Sequence, residues 1–337
     1  MEFLVHIGMP KTGTTSLQNY LFNRRADLQA HSVNYVFADP NPTANPFFES
    51  FRPVFLRGRS KQQVGSIVRE AQIGIQGKIK SGSLNVLSAE VLSNVDPELV
   101  AEIISAENAK YVVYVRNELE FLASSYAQLV HKEPHPPSLA DFISIRINRH
   151  NGQLLDAWRN CFKERFQPRI FDRSSLVNGD IVRDFFSAFL PVSALKLSPT
   201  DLKFEDQNPS LTDEIIAYKS HIRHTHPALV SHNRINYRAF ALLAEKFGKK
   251  FRLPETFKST LLSNLELQGK KWSQKYFGVD QVFDYSAYHF QGPQESITVS
   301  DKRVREILAE HRIILSELNF TDARHGKPGG MRDLNVQ

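Results

Sequence analysis

Over the first 130 residues, short continuous apolar runs alternate with longer stretches of helical period. Residues 3–8 are apolar except for His6 and close on Gly8, which predicts a strand buried on both faces. Residues 14–25 then place Leu17, Tyr20 and Leu21 on one face of a helix. The Pro- and Asn-rich stretch 39–46 reads as a loop, 61–80 as a helix and 84–88 as a second strand. Residues 97–107 read as a helix opened by Pro97. The strongest strand signal is Lys110-Tyr-Val-Val-Tyr-Val115, followed by a helix over 118–131.

Strands separated by helices imply parallel pairing through right-handed crossovers, hence an α/β, three-layer parallel sheet flanked by helices. From residue 138 onward the pattern turns mainly helical. Helices are predicted at 139–148, 151–165, 180–189, 211–224, 234–247, 257–277 and 301–318, with one more strand near 169–172. Trp158, Cys161 and Phe185 are expected in the core. No linker separates two clean halves, so 1–327 is predicted as a single domain, with 328–337 a loose Gly-rich tail.

Composition narrows the function. A single cysteine, Cys161, excludes an internal disulfide and fits a reducing compartment. The N-terminal apolar run is too short for a signal-peptide core, and no stretch reaches membrane-spanning length, so a cytoplasmic protein without stable membrane insertion is expected. The 42 basic residues outnumber 36 acidic ones, a net charge of +6 that favours anionic partners. The basic residues are scattered rather than gathered into a stripe, which points away from nucleic acid and toward a small polyanion.

The segment between the first strand and the first helix, Gly8-Met-Pro-Lys11-Thr-Gly13-Thr-Thr15, can aim backbone N–H groups and the positive end of a helix at an anion. Its glycines have the separation found in nucleoside-triphosphate loops, but Thr14 stands where the lysine belongs and the lysine lies inside the loop, at Lys11. The second and third predicted strands end in Ser88 and Arg116, so neither supplies the acidic residue that anchors metal beside a triphosphate. No metal is therefore expected. A lysine can suffice for a sulfuryl group, which carries less charge in transfer than a phosphoryl group.

Pro10-Lys-Thr-Gly-Thr-Thr15, followed by Ser-Leu-Gln18, resembles the 5′-phosphosulfate-binding loop of the sulfotransferase family, in its bacterial and Golgi carbohydrate-type branches. Tyr114-Val-Arg116-Asn-Glu-Leu-Glu-Phe-Leu-Ala-Ser124 resembles the family's other signature, an arginine at a strand end and a serine eight residues later that hold the 3′-phosphate. Weaker similarity covers Leu154–Trp158, Arg169–Asp172, Gly179–Phe185, Asn208-Pro-Ser-Leu211 and Trp272–Phe277. The basic, Gly-rich C-terminal loop of the small-molecule cytosolic branch has no counterpart here.

The resemblance implies a P-loop-like sulfotransferase architecture with a helical C-terminal half. It implies 3′-phosphoadenosine 5′-phosphosulfate (PAPS) as co-substrate, bound by Lys11, Thr12, Gly13, Thr14, Thr15, Ser16, Arg116 and Ser124, with Lys11 also catalytic. The implied acceptor is a hydroxyl or amine of a carbohydrate or lipid-linked glycan. Transfer to such a group needs a proton acceptor. Glu90, directly after the second predicted strand, is the candidate; its alternative role is to cap the short helix that follows. His131 and His135 are rivals, while His6 is expected to pack beside the loop strand. His221, His224 and His226 are expected on a solvated helix face rather than around a metal. Two other functions fit parts of the pattern: a non-catalytic binder of 3′-phosphoadenosine nucleotides, and a metal-dependent phosphotransferase.

Overall fold

A computed structural model of the chain describes residues 2–147, 151–190, 211–231, 233–292 and 299–324. Its contacts divide it into two compact units. The first comprises 1–121, 147–205 and 260–288, and the second 122–146, 206–259 and 289–337.

The first unit is built on five parallel strands: β1 (Glu2–Ile7), β2 (Val33–Val36), β3 (Leu84–Ala89), β4 (Ala109–Val115) and β5 (Phe166–Ile170). Their order is β2-β3-β1-β4-β5, with Val5 of β1 paired to Leu87 and Tyr111. Nearly every position of β1 and β4 is buried, as expected where helices cover both faces. On one face, Leu17 and Leu21 of the helix Thr14–Asn23 and Val182 and Phe185 of the helix Ile181–Phe189 pack on Leu4, Val86, Val112 and Tyr114. On the other, Tyr111 stacks on Phe162 of the helix Asn151–Phe162, 3.6 Å between ring centres, with Trp158 alongside. This is the three-layer α/β arrangement that the alternation of runs predicts, with a P-loop-like strand–loop–helix at its centre.

Several boundaries differ from the sequence expectation; the helices starting at Pro97 and Asp301 end at Ile104 and Arg324 rather than at 107 and 318. The first helix breaks at Arg24 and resumes as Arg25–Ala30. The helix from Lys61, opened by a Ser60–Gln63 capping box, stops at Gln76 beside Gly77 rather than at 80. The last strand runs over Phe166–Ile170, earlier than expected, because Pro168 within it masks the signal; a proline is tolerated on an edge strand. Strand β2 has no counterpart in the sequence expectation. Asn34 interrupts its apolar run, and the structure buries that amide by pairing it with Asn85 at 2.8 Å and the Lys78 carbonyl at 2.9 Å.

The second unit is helical, with Leu139–Arg146, Asp213–Thr225, Arg234–Lys246 and the long Asp301–Arg324. Its core carries Tyr218, Phe240 and a buried His311 whose Nδ1 lies 3.0 Å from the Tyr218 hydroxyl. The buried Lys219 ammonium donates to the carbonyls of Val130 and His131 at the end of the helix Glu118–Lys132. Trp158 and Phe185 are buried as expected, whereas Cys161 is only half-buried, at the edge of its helix's apolar stripe. No helix among the described residues is long and apolar enough to cross a membrane. Residues 208–210 and the 328–337 tail lie outside the described residues.

Candidate active site

The order of the strands sets the place of the site. From β1 the chain crosses to β2 at one edge, comes back through β3 and passes to β4 and β5 on the other side, so the connections leaving the neighbouring strands β1 and β4 run in opposite senses. In open α/β sheets the crevice beyond the carboxyl ends at such a point is where ligands bind. Lys11 follows β1 and Arg116 follows β4, so the two candidate anion ligands flank the reversal.

The loop is built to curl. Lys11 and Gly13 both adopt left-handed backbone angles, with φ of 64° and 71°. Gly8 permits a close approach: a Cβ there would stand 2.6 Å from Thr14 Cγ2 and 2.8 Å from the Glu90 Cα. Its N–H donates to the Ala89 carbonyl at 3.0 Å. The hydroxyls of Thr12 and Thr14 turn inward, both donating to the Met9 carbonyl, at 2.7 and 3.0 Å. They close the loop on itself, while Thr15 is exposed and Ser16 partly so. Gly13 is the N-cap, with no side chain capping the helix Thr14–Asn23. The first N–H groups of that helix are of the kind that receive an anion.

Arg116 reaches this loop directly. Its guanidinium donates to the Lys11 carbonyl at 2.8 Å and to Glu120 at 3.3 Å, and it stands 5.9 Å from the centre of the Phe171 ring. Its own carbonyl accepts from the Asn151 amide at 2.9 Å. Glu90 opens the turn Glu90–Asn94 after β3 and is half-buried, with its backbone against Gly8. Lys11, Glu90 and Arg116 thus lie along one sheet edge, as the strand pattern predicts. Ser124 is buried in the helix Glu118–Lys132, eight residues after Arg116, and belongs to the second unit.

The histidines separate by environment. His6 sits within β1 itself, wholly buried between Tyr114 and Phe185, with Nδ1 2.8 Å from the Ser88 hydroxyl. Burial pushes its pKa down to about 3, so the ring is neutral and serves the interior. His131 is buried in the second unit, stacked on Tyr237 at 3.7 Å, and His135 is exposed there. Among the described residues, no group of three or more His, Cys, Asp or Glu is placed to hold a metal ion.

Two buried clusters escape sequence reasoning. Asp184 is fully buried and accepts the Tyr114 hydroxyl at 2.7 Å and both Arg169 donors at 2.7 and 2.8 Å. It clamps the helix Ile181–Phe189 to the sheet, and the Ile181 side chain packs against Gly13 of the loop. The second cluster gathers Glu118, Asn151 and Tyr285 behind Arg116. The partners lie up to 167 residues apart along the chain, so no local spacing could have joined them.

No family model matches the chain, and no curated protein matches it. Among solved structures it is similar to that of a sulfotransferase from Alicyclobacillus acidocaldarius. The two are 16% identical over 71% of this chain and 99% of that one, with a TM-score of 0.36. A likeness of that degree assigns no activity to this chain.

Proposed function

We propose that this protein is a sulfotransferase that moves the sulfuryl group of PAPS to a hydroxyl or amine of a carbohydrate or lipid-linked acceptor. The observation that carries the reading is the Pro10–Thr15 loop with the Arg116 guanidinium on its Lys11 carbonyl. Two cationic side chains then flank the crevice where a nucleotide phosphorylated at both its 3′ and 5′ positions would need them. Sequence resemblance to the 5′-phosphosulfate loop supplies the sulfuryl part of the assignment.

In this mechanism the loop N–H groups and the hydroxyls of Thr15 and Ser16 hold the 5′ end, and Arg116 holds the 3′-phosphate. The acceptor oxygen attacks sulfur in line, forming one S–O bond as the bond to the bridging oxygen breaks. Lys11 stabilises the negative charge that gathers on that oxygen. Glu90 takes the acceptor's proton, and 3′-phosphoadenosine 5′-phosphate leaves.

Calorimetric titration tests the reading. Charge-assisted hydrogen bonds contribute about 1.5–3 kcal/mol each, so 3′-phosphoadenosine 5′-phosphate should bind at least about tenfold more tightly than AMP. Arg116→Ala should erase the preference. Equal affinities of the wild-type chain for the two nucleotides would overturn the assignment.

A further inference from the structure

Behind Arg116 the chain buries a carboxylate that the mechanism above does not use. Glu118 opens the helix Glu118–Lys132 two residues after Arg116, and is 4% exposed. Its Oε2 accepts the Tyr285 hydroxyl at 2.6 Å, and its Oε1 faces the Asn151 N–H at a longer 3.4 Å. The Asn151 side chain in turn donates to the Arg116 carbonyl at 2.9 Å. One residue thereby brackets both ends of the short Arg116–Glu118 link, with its amide on one and its backbone on the other. The Trp272 indole N–H lies near the same carboxylate without closing a hydrogen bond of ordinary geometry.

Tyr285 reaches this position because of a glycine. Gly269 sits inside the helix Lys258–Phe277, where a Cβ would stand 2.8 Å from Tyr285 Cε2 and 3.0 Å from its hydroxyl oxygen. A mid-helix glycine costs helix stability relative to alanine. Here it lets the ring lie against the helix backbone and deliver its hydroxyl to Glu118. Burying a carboxylate among neutral donors is costly, and apolar residues could have filled the same volume. The cost falls at the one link that carries Arg116.

We propose that Glu118, held by Tyr285 over Gly269, is a positioning residue for Arg116, and that it sets the preference for a nucleotide bearing a 3′-phosphate. The inference rests on the reading of Arg116 as the ligand of that phosphate. Glu118 acts through the backbone: with its carboxylate pinned, the Arg116 carbonyl stays on Asn151, and the guanidinium is presented from a single place beside the Lys11 loop. Burial pushes the Glu118 pKa up to about 7, and the Tyr285 hydroxyl pulls it back part of the way. The hydrogen bonds that hold the link thus offset only part of the cost of burying the group.

The test uses the full chain as wild type, Tyr285→Phe and Glu118→Gln. Each is titrated with 3′-phosphoadenosine 5′-phosphate and with AMP, alongside its melting temperature. Tyr285→Phe keeps the ring and removes only the hydroxyl, so it guards against loss of fold. Both variants should lose affinity for the doubly phosphorylated nucleotide by about tenfold, the value of one charge-assisted contact, while affinity for AMP stays unchanged. A merely structural role would lower melting temperature and leave the ratio of the two affinities intact. Variants that keep the wild-type ratio overturn this inference and spare the functional reading. A wild-type chain with no preference for the 3′-phosphate overturns both.

Discussion

Two buried carboxylates in the first unit are held in opposite ways. Asp184 meets a cation: Arg169 donates to both of its oxygens, and Tyr114 and the Val177 N–H complete the set. Glu118 meets only neutral donors, from Tyr285 and Asn151. An ion pair of two-point geometry balances its own charge and acts as a staple, here between the helix Ile181–Phe189 and the sheet. A carboxylate among neutral donors stays costly to ionise, which is why its pKa climbs from 4.5 to about 7. The contrast separates a carboxylate whose charge is balanced by a partner cation from one held in place by neutral hydrogen bonds alone.

A third carboxylate extends the comparison and carries the largest expected effect. Glu90 is half-buried at the crevice and is the proposed proton acceptor. Glu90→Gln should cut turnover by about 10²–10⁴-fold with nucleotide affinity nearly unchanged. If Glu90 instead only steadies the turn after β3, initial rates stay near normal and stability falls by about 1 kcal/mol.

Next in size is Asp184→Asn. Removing one partner of a buried pair costs about 3–5 kcal/mol, and the lower end applies here because Arg169 is about a third exposed and can rehydrate. Denaturant unfolding should register that loss. A loss near zero would show that the clamp does not hold the helix behind Gly13.

A smaller effect distinguishes Glu118 by its sign with pH. Its pKa is higher folded than unfolded, so its contribution to stability is complete below pH 4.5 and falls as pH rises toward about 7. Glu118→Gln removes that slope. The melting-temperature difference between variant and wild type should therefore move in favour of glutamine between about pH 5 and about pH 8. A difference that stays constant over that range would return Glu118 to ordinary carboxylate behaviour.

The smallest effect concerns Gly269. Glycine to alanine inside a helix ordinarily gains about 1 kcal/mol. Gly269→Ala should fail to gain it, because the new methyl meets the Tyr285 ring. Chemical denaturation of this variant beside Tyr285→Phe would show whether the ring is what the glycine serves.

What the sequence disclosed follows from the range of the forces involved. The buried run of β1, the curled loop and the strand end at Arg116 are local patterns of period and residue type, and each was legible. Strand β2 was hidden because a polar Asn34 breaks its run, and only its partner 51 residues away makes burial tolerable. Pro168 hid the start of β5 for a similar reason, since its acceptability depends on the strand standing at the sheet's edge. Lys11, Glu90 and Arg116 could be placed on one edge from strand alternation alone. Glu118 could not be given a role, because its meaning depends on Tyr285 and on the gap at Gly269. The inward turn of the Thr12 and Thr14 hydroxyls was likewise invisible, being a matter of rotamers.

The amide pair between Asn34 and Asn85 works as a vernier for the edge of the sheet where β2 meets β3. The two residues stand opposite one another in the β2–β3 ladder, buried, with Asn85 also holding the Lys80 N–H at 2.9 Å. Leucine or valine in their places would slide by one residue with little complaint, whereas a slipped amide would lose its partner in the interior. One step along a strand is about 3.3 Å. Five residues beyond Asn85 the same strand hands over to Glu90, so an error of alignment at one end would reappear undiminished at the other. A polar pair remote from any chemistry thereby acts as a ruler for β3, and the Asn85 amide, which also donates to the Glu2 carbonyl at 3.4 Å, carries that alignment to the strand leading into the loop.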